Sequence, residues 1–260
     1  MAIALVGQPS LFGCGDPGFD PTLSGIRRLP LSRGAWVDHL PAWVVGHQAL
    51  FDALWSTTRW RSERRWMYER EVDVPRLFAV LPDDGPGHPL LPELGAALSS
   101  HYHRQLPEIS LAAYRDGRDS VAFHGDRLGR LRADAVVAIV SLGEPRRFLL
   151  RPMGGGASHG FDLGWGDLLV MGGTCQRTWQ HGIPKVASAG PRISVQFRPD
   201  VSDERGAGRR RGQAVEWKRN LAPAAGTRPA PGHAPGAGSP SRLSLGARAD
   251  ELPHAPPGVG

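Results

Sequence analysis

At 260 residues and 40% apolar composition the chain is long enough for one full-sized buried core, and two cysteines, Cys14 and Cys175, exclude a disulfide-built secreted scaffold. The formal charge of +6 is almost all arginine, with Lys185 and Lys218 the only lysines; it favours a polyanionic partner such as nucleic acid and equally follows from a GC-rich genome. Residues 1–7 lack a basic start followed by a long apolar stretch, and no run approaches the length of a bilayer span, so a soluble cytoplasmic chain without membrane contact is expected; a monomer is expected as well.

Residues 1–30 read as loop and short strands, because Gly13, Gly15, Pro17, Gly18 and Pro21 break any periodicity. Over 45–57, Leu50, Phe51, Leu54 and Trp55 recur at helical spacing and predict an amphipathic helix. Residues 69–80 read as a strand interrupted by Pro75. A second helix is predicted over about 91–106, with Leu94, Ala97, Leu98, Tyr102 and Leu106 on one face and Pro107 closing it. From there short β-runs follow at 111–114, 120–124, 136–142, 147–151, 167–171 and 192–198, separated by Gly, Asp and Pro. Many short strands after two helices predict a mainly β, α+β fold: a sandwich or jelly roll with flanking helices. Beyond Pro199 the segments ERGAGRRRGQ and APAAGTRPAPGHAPGAGSPS hold too few large apolar residues to offset ordering entropy, so a C-terminal disordered tail is expected.

His124-Gly125-Asp126 stands at the end of one β-run, and His181 follows about 55 residues later. Residues i and i+2 of a strand share a face, so His124 and Asp126 can address one ion. Two imidazoles and one carboxylate on one face of an octahedron leave three positions open, which suits Fe(II) binding a cosubstrate and O₂ together. An H-x-D pair alone arises often by chance, so its weight comes from the arginines. In Arg192-Ile-Ser-Val-Gln-Phe-Arg198 the residues Arg192, Ser194, Gln196 and Arg198 alternate onto one face of a strand. Two guanidiniums on the inner face of a core strand call for an anionic partner, and a dicarboxylate supplies one through bidentate pairing. An edge strand with its arginines in solvent is the alternative.

The blocks AAYRDGRDSVAFHGD, VSLGEPRRFLLRP, GDLLVMGG, CQRTWQHGIPK and PRISVQFRP, in this order over about 108–199, resemble the AlkB family of 2-oxoglutarate/Fe(II)-dependent dioxygenases. Members of that family remove alkyl groups from nucleobases on a double-stranded β-helix (jelly roll). The resemblance implies iron held by His124, Asp126 and His181, with 2-oxoglutarate as cosubstrate and O₂ as oxidant. It implies 2-oxoglutarate held by Tyr114, Arg192 and Arg198, with Arg198 on the distal carboxylate. Ser194 stands where the family has Asn and still donates a hydrogen bond. Trp179 would wall the metal site or serve as a plain core aromatic. Pro75–Leu77 and Trp66-Met67 resemble the family's nucleotide-recognition region more loosely. The chain then divides into an N-terminal extension with that region and supporting helices (1–105), the dioxygenase core (106–200) and the basic Pro/Gly/Ala-rich tail (201–260).

Two departures bear on the reaction. Ala112 replaces an Asn that contacts 2-oxoglutarate, and Arg127-Leu128 follows the H-x-D where several members carry an acidic base-reading residue. The segment RWRSERRW interleaves Arg59, Arg61, Arg64 and Arg65 with Trp60 and Trp66, a pattern suited to phosphates and stacked bases, or to a solvated helix end. With Arg127 and Trp179 these are the candidate substrate contacts. The implied activity is oxidative dealkylation of bases in DNA, or RNA, releasing aldehyde, succinate and CO₂. The alternatives are the same chemistry on a protein or small molecule, or a cupin-like metal-binding module without catalysis.

Overall fold

The computed structural model describes residues 15–67, 70–126, 128 and 134–200, with backbone alone over 63–67 and 70–73. The expected tail at 201–260 and Arg127 lie outside the described residues, as do residues 1–14. Among the described residues no helix is long and apolar enough to cross a membrane.

The chain opens with β1 (Gly18–Phe19), β2 (Arg27–Pro30), a single 3₁₀ turn (Ser32–Gly34), β3 (Ala35–Leu40) and β4 (Val44–Val45), which pairs back on β1. Next come α1 (His47–Thr57), the hairpin of β5 (Arg61–Met67) and β6 (Arg70–Val80), and α2 (Leu90–Tyr102). The remainder is β7 (Glu108–Tyr114), β8 (Val121–His124), β9 (Val137–Gly143), β10 (Arg146–Pro152), β11 (His159–Leu163), β12 (Asp167–Gly173), the one-turn helix α3 (Cys175–Thr178), β13 (Trp179–Ile183) and β14 (Arg192–Arg198).

An eight-stranded antiparallel sheet runs β2-β3-β12-β9-β14-β7-β6-β5, and a four-stranded sheet runs β11-β10-β13-β8. From β7 onward the chain passes back and forth between the sheets, so that β7, β9, β12 and β14 face β8, β10, β11 and β13. That crossing pattern is the jelly roll expected from the strand spacing. Strands β2, β3, β5 and β6, from the 1–105 side of the expected boundary, extend the same large sheet.

β9 shows how the sequence builds two cores from one sheet. All seven of its residues are buried, and they alternate in destination. Ala138, Val140 and Leu142 join Leu50, Phe51 and Leu54 of α1 and Leu91, Leu94 and Leu98 of α2 in one apolar cluster. Val137 and Ile139 point the other way, into a cluster inside the jelly roll with Phe148, Leu169 and Met171. Strands covered on both faces read as near-continuous apolar runs, as VAIVSLG does. Helix α1 enters through Gly46 at φ 59, where a Cβ would lie 2.6 Å from the Asp16 carbonyl oxygen, so only glycine fits the turn.

Two expectations on elements are corrected. Helix α2 stops at Tyr102, short of Pro107, because His103 at φ 52 reverses the chain and Arg104 N–H closes onto the Ser99 carbonyl at 3.1 Å. Leu106 kept the helical period because it packs back on the core at 2% exposure. The RWRSERRW segment is no helix end: its residues from Arg61 form β5, an edge strand paired to β6 with a register shift between Ser62 and Arg64. Strands β3, β4, β11 and β13 add to the expected runs; His159–Leu163 and Trp179–Ile183 are short and partly polar.

Candidate active site

His124 ends β8 directly opposite His181 of β13 in the ladder. Their rings lie 4.4 Å apart between centroids, and Phe148 stacks on His181 at 5.5 Å. Asp126 follows two residues past His124, with Oδ2 at 3.9 Å from His181 Nε2. The Nδ1–H of His124 donates to the Ala122 carbonyl at 2.9 Å, which leaves Nε2 with a free lone pair. Burial lowers the proton affinity of His124, and burial brings His181 down to about 3, so both imidazoles are neutral at pH 7.

Asp126 is 7% exposed. Its burial pushes the carboxyl up most strongly, but Arg198, His181 and His124 together outweigh this and the group sits at about 2. Arg198 donates from Nε at 3.1 Å and Nη2 at 3.0 Å, both to Oδ1. The other oxygen, Oδ2, is buried without a hydrogen-bond partner among the described residues. A buried carboxylate oxygen without a donor of its own leaves a place for a cation. Among the described residues no group of three His, Cys, Asp or Glu is already spaced to hold a metal ion. The 3.9 Å from Oδ2 to Nε2 agrees with that. Adjacent corners of an octahedron with bonds of about 2.1 Å are about 3 Å apart, so this one pair of donors would approach by about 1 Å on binding an ion. The donor set itself, two neutral imidazoles and one carboxylate, fits Fe(II).

At the other end of β14, Arg192 is fully buried opposite Tyr114. Its Nη2 donates to Ser141 Oγ at 2.6 Å and its Nε to the Leu163 carbonyl at 3.3 Å, while Nη1 is buried with no partner among the described residues. Burial pulls its proton affinity down to about 10. A buried cation paired with no carboxylate leaves room for an anionic ligand. Arg146 lies 5.8 Å from the same Tyr114 ring and is itself buried, but donates to the backbone carbonyls of Asp116, Asp119 and Pro184.

The structure thus brings His124, Asp126 and His181 together, and places Tyr114, Arg192 and Ser194 on the inner face of the large sheet. Arg198 bonds Asp126, Ser110 and Gln196. Strand β14 is antiparallel to β7, so Arg192 faces Tyr114 while Arg198 faces Glu108, at the opposite end. Ser194 is buried opposite Ala112 and Ser141, with Gln196 Nε2 at 3.5 Å from its Oγ. Trp179 is 4% exposed in the interior cluster, its Nε1 donating to the Ser32 carbonyl at 3.3 Å.

The other candidate contacts are otherwise engaged. Arg59 donates to the Asp83 carbonyl, Arg61 pairs with Asp84, and Trp60 packs on Trp55 with its Nε1 donating to the Trp55 carbonyl at 3.1 Å. These contacts tie the start of β5 to α1 and the turn after β6. They are not contacts to the His124 group. The side chains of Arg64, Arg65 and Trp66, and all of Arg127, lie outside the described residues. Sequence reading missed Arg76 of β6, whose charge lowers the proton affinity of both His124 and His181. It also missed Ser141 and Gln176, whose Oε1 accepts from Asp126 N–H at 2.9 Å. Leu128, where an acidic residue is absent, is 2% exposed in the interior cluster.

A family model described as the 2OG-Fe(II) oxygenase superfamily matches residues 80–210, half of the chain and all of the jelly roll. The chain belongs to the 2OG-Fe(II) oxygenase superfamily. Members of that superfamily use Fe(II), 2-oxoglutarate and O₂. The chain is AlkB-like: it is 30% identical over 162 residues to alpha-ketoglutarate-dependent dioxygenase alkB homolog 3 of Mus musculus, covering 58% of this chain and 54% of that one. The Bos taurus homolog 3 is 29% identical over 209 residues, covering 71% of this chain and 70% of that one. The chain therefore spans about half the length of the mouse relative. The solved OsALKBH1 structure is more distant, at 14% identity and a TM-score of 0.46, covering 67% of this chain and 100% of that one.

Proposed function

We propose that this oxygenase removes alkyl groups oxidatively from nucleobases of DNA or RNA. What carries the reading is the His124–Asp126–His181 group together with a buried cation, Arg192, that has no carboxylate partner among the described residues of the same jelly roll. In this reading Nε2 of each histidine and Oδ2 of Asp126 hold the iron. Arg192, Tyr114 and Ser141 hold the distal carboxylate of 2-oxoglutarate, a role read from the sequence for Arg198 and better suited to Arg192. Ser194 lines the same face.

Bound Fe(II) with 2-oxoglutarate and O₂ supplies the oxidant that hydroxylates an N-alkyl carbon, after which the product releases aldehyde, with succinate and CO₂ as coproducts. The chain's own residues set the conditions. Arg198 keeps Asp126 ionised and fixes one of its oxygens. Burial keeps both imidazoles unprotonated as donors. Leu128, Phe148 and Trp179 are buried in the same interior and exclude water. A base inside a duplex cannot reach such a buried site, so the substrate is single-stranded or flipped out. The enzyme is taken as a cytoplasmic monomer.

The AlkB-like sequence supports nucleic acid over other substrates. Leu128 and the internal engagement of Arg59, Trp60 and Arg61 favour a second reading, the same oxidation on a protein side chain or small molecule. The test is incubation with Fe(II), 2-oxoglutarate and methylated oligonucleotides. Formaldehyde release supports the proposal, and its absence on both DNA and RNA, with succinate still formed on another substrate, turns to the second reading.

A further inference from the structure

Asp126 is the one member of the group that lies off its strand, since β8 ends at His124. Its backbone N–H donates instead to Oε1 of Gln176 at 2.9 Å, fifty residues along the chain. Gln176 is 1% exposed, on the single turn of α3, and its Nε2 is directed at Met171 Sδ at 3.8 Å. This contact fixes which end of the amide is the acceptor, because a backbone N–H requires an oxygen.

Two contacts therefore act on Asp126. Gln176 holds its peptide, and Arg198 holds Oδ1 of its carboxylate. With both in place, the remaining freedom of the side chain is small and Oδ2 stays on the side of His181, 3.9 Å away. Without the first, the peptide at 125–126 has no such anchor and the carboxylate can follow Arg198.

We infer that Gln176 is a positioning residue: it anchors the Asp126 peptide so that Oδ2 meets the metal together with His124 and His181. The inference rests on the metal reading of this group. Partners one layer behind metal ligands are typically worth 10–100-fold in metal affinity.

The test uses the full chain with Co(II) as the probe ion. Gln176→Met keeps the volume and the contact with Met171 but lacks the acceptor, whereas Gln176→Glu keeps an acceptor oxygen. Three quantities are read: the Co(II) dissociation constant, the visible d–d spectrum, and the melting temperature of metal-free protein. Gln176→Met should weaken Co(II) by about 10–100-fold and alter the spectrum, with Gln176→Glu within about threefold of wild type. A purely structural role would lower the melting temperature and leave the spectrum of bound Co(II) unchanged, which overturns the inference. So would wild-type affinity in Gln176→Met, or equal losses in both variants. Should Gln176→Met fail to fold, Gln176→Glu decides: wild-type binding supports the role and loss overturns it. Absence of Co(II) binding by the wild type overturns the metal reading and this role with it; normal wild-type binding with an indifferent Gln176→Met overturns the role alone.

Discussion

Arg192→Met separates a ligand-binding cation from a structural one. In the structure Arg192 donates to Ser141 Oγ and to the Leu163 carbonyl, and its Nη1 has no partner among the described residues. Losing two neutral-acceptor bonds costs roughly 1 kcal/mol each. Replacing a buried charge by an apolar side chain of similar volume offsets this, since such exchanges are often neutral or stabilising by about 1–4 kcal/mol. The melting temperature of the unliganded protein should therefore stay within roughly 4 °C of wild type. Binding behaves differently, because the distal carboxylate of 2-oxoglutarate would then be buried alone. Removing one partner of a buried pair costs about 3–5 kcal/mol, or about 150- to 5,000-fold in affinity. Calorimetric titration of 2-oxoglutarate into Mn(II)-loaded protein, beside thermal melts, reads both quantities. A variant that binds 2-oxoglutarate within about threefold of wild type, or that melts more than about 10 °C lower, refutes the reasoning.

Asp38→Ala is expected to destabilise without touching the chemistry: buried Asp38 accepts from exposed Arg28 of β2 at 2.7 and 2.8 Å and from half-buried Tyr102 of α2 at 2.9 Å, so its loss takes the acceptor from the Tyr102 hydroxyl while Arg28 turns to water. Leaving that hydroxyl unmet costs about 1–3 kcal/mol, a fall of roughly 2–12 °C in a thermal melt, with 2-oxoglutarate affinity unchanged. Burial raises the Cys175 thiol to about 12 against 9.0 for a free one. Its folded pKa is thus above the unfolded value, so its contribution to stability is complete below pH 9 and is lost as pH rises towards 12. In a Cys14→Ser background, Cys175 should resist a thiol reagent at pH 8 until the protein unfolds; prompt labelling of native protein contradicts its burial. Leu50→Ala, at the fully buried face of α1, should cost about 2–5 kcal/mol in denaturant unfolding, and a cost under about 1 would show that α1 is not a core element.

Period-two and period-3.6 patterns carried the reading of the fold wherever a face is buried. β14 was legible to the residue because its two faces differ: Ile193, Val195 and Phe197 go to the helix-side core, and the polar residues go inward. β5 was not, because an arginine-rich edge strand has no apolar face to declare its period. The end of α2 was misplaced because Leu106 continues the helical spacing by accident of packing, while the reversal at His103 depends on one residue in the left-handed region.

The candidate site was legible in its residue types and less so in its pairings. The inward face of Arg192 and Arg198 followed from alternation alone. Which of them meets a ligand depends on position along the barrel axis, and that depends on antiparallel register with β7. Gln176 was hidden for a related reason: a glutamine on a one-turn helix has no periodicity, and its partner is fifty residues away. Arg146, buried against three carbonyls, looked like any arginine of a β-run.

The most direct test is succinate formation from 2-oxoglutarate by Fe(II)-loaded protein, measured with and without methylated single-stranded DNA, for wild type and His124→Ala. The account predicts turnover by the wild type that rises with the methylated strand and releases formaldehyde, and none by His124→Ala. Undiminished turnover in His124→Ala, or wild-type turnover indifferent to methylated DNA and RNA alike, would contradict it.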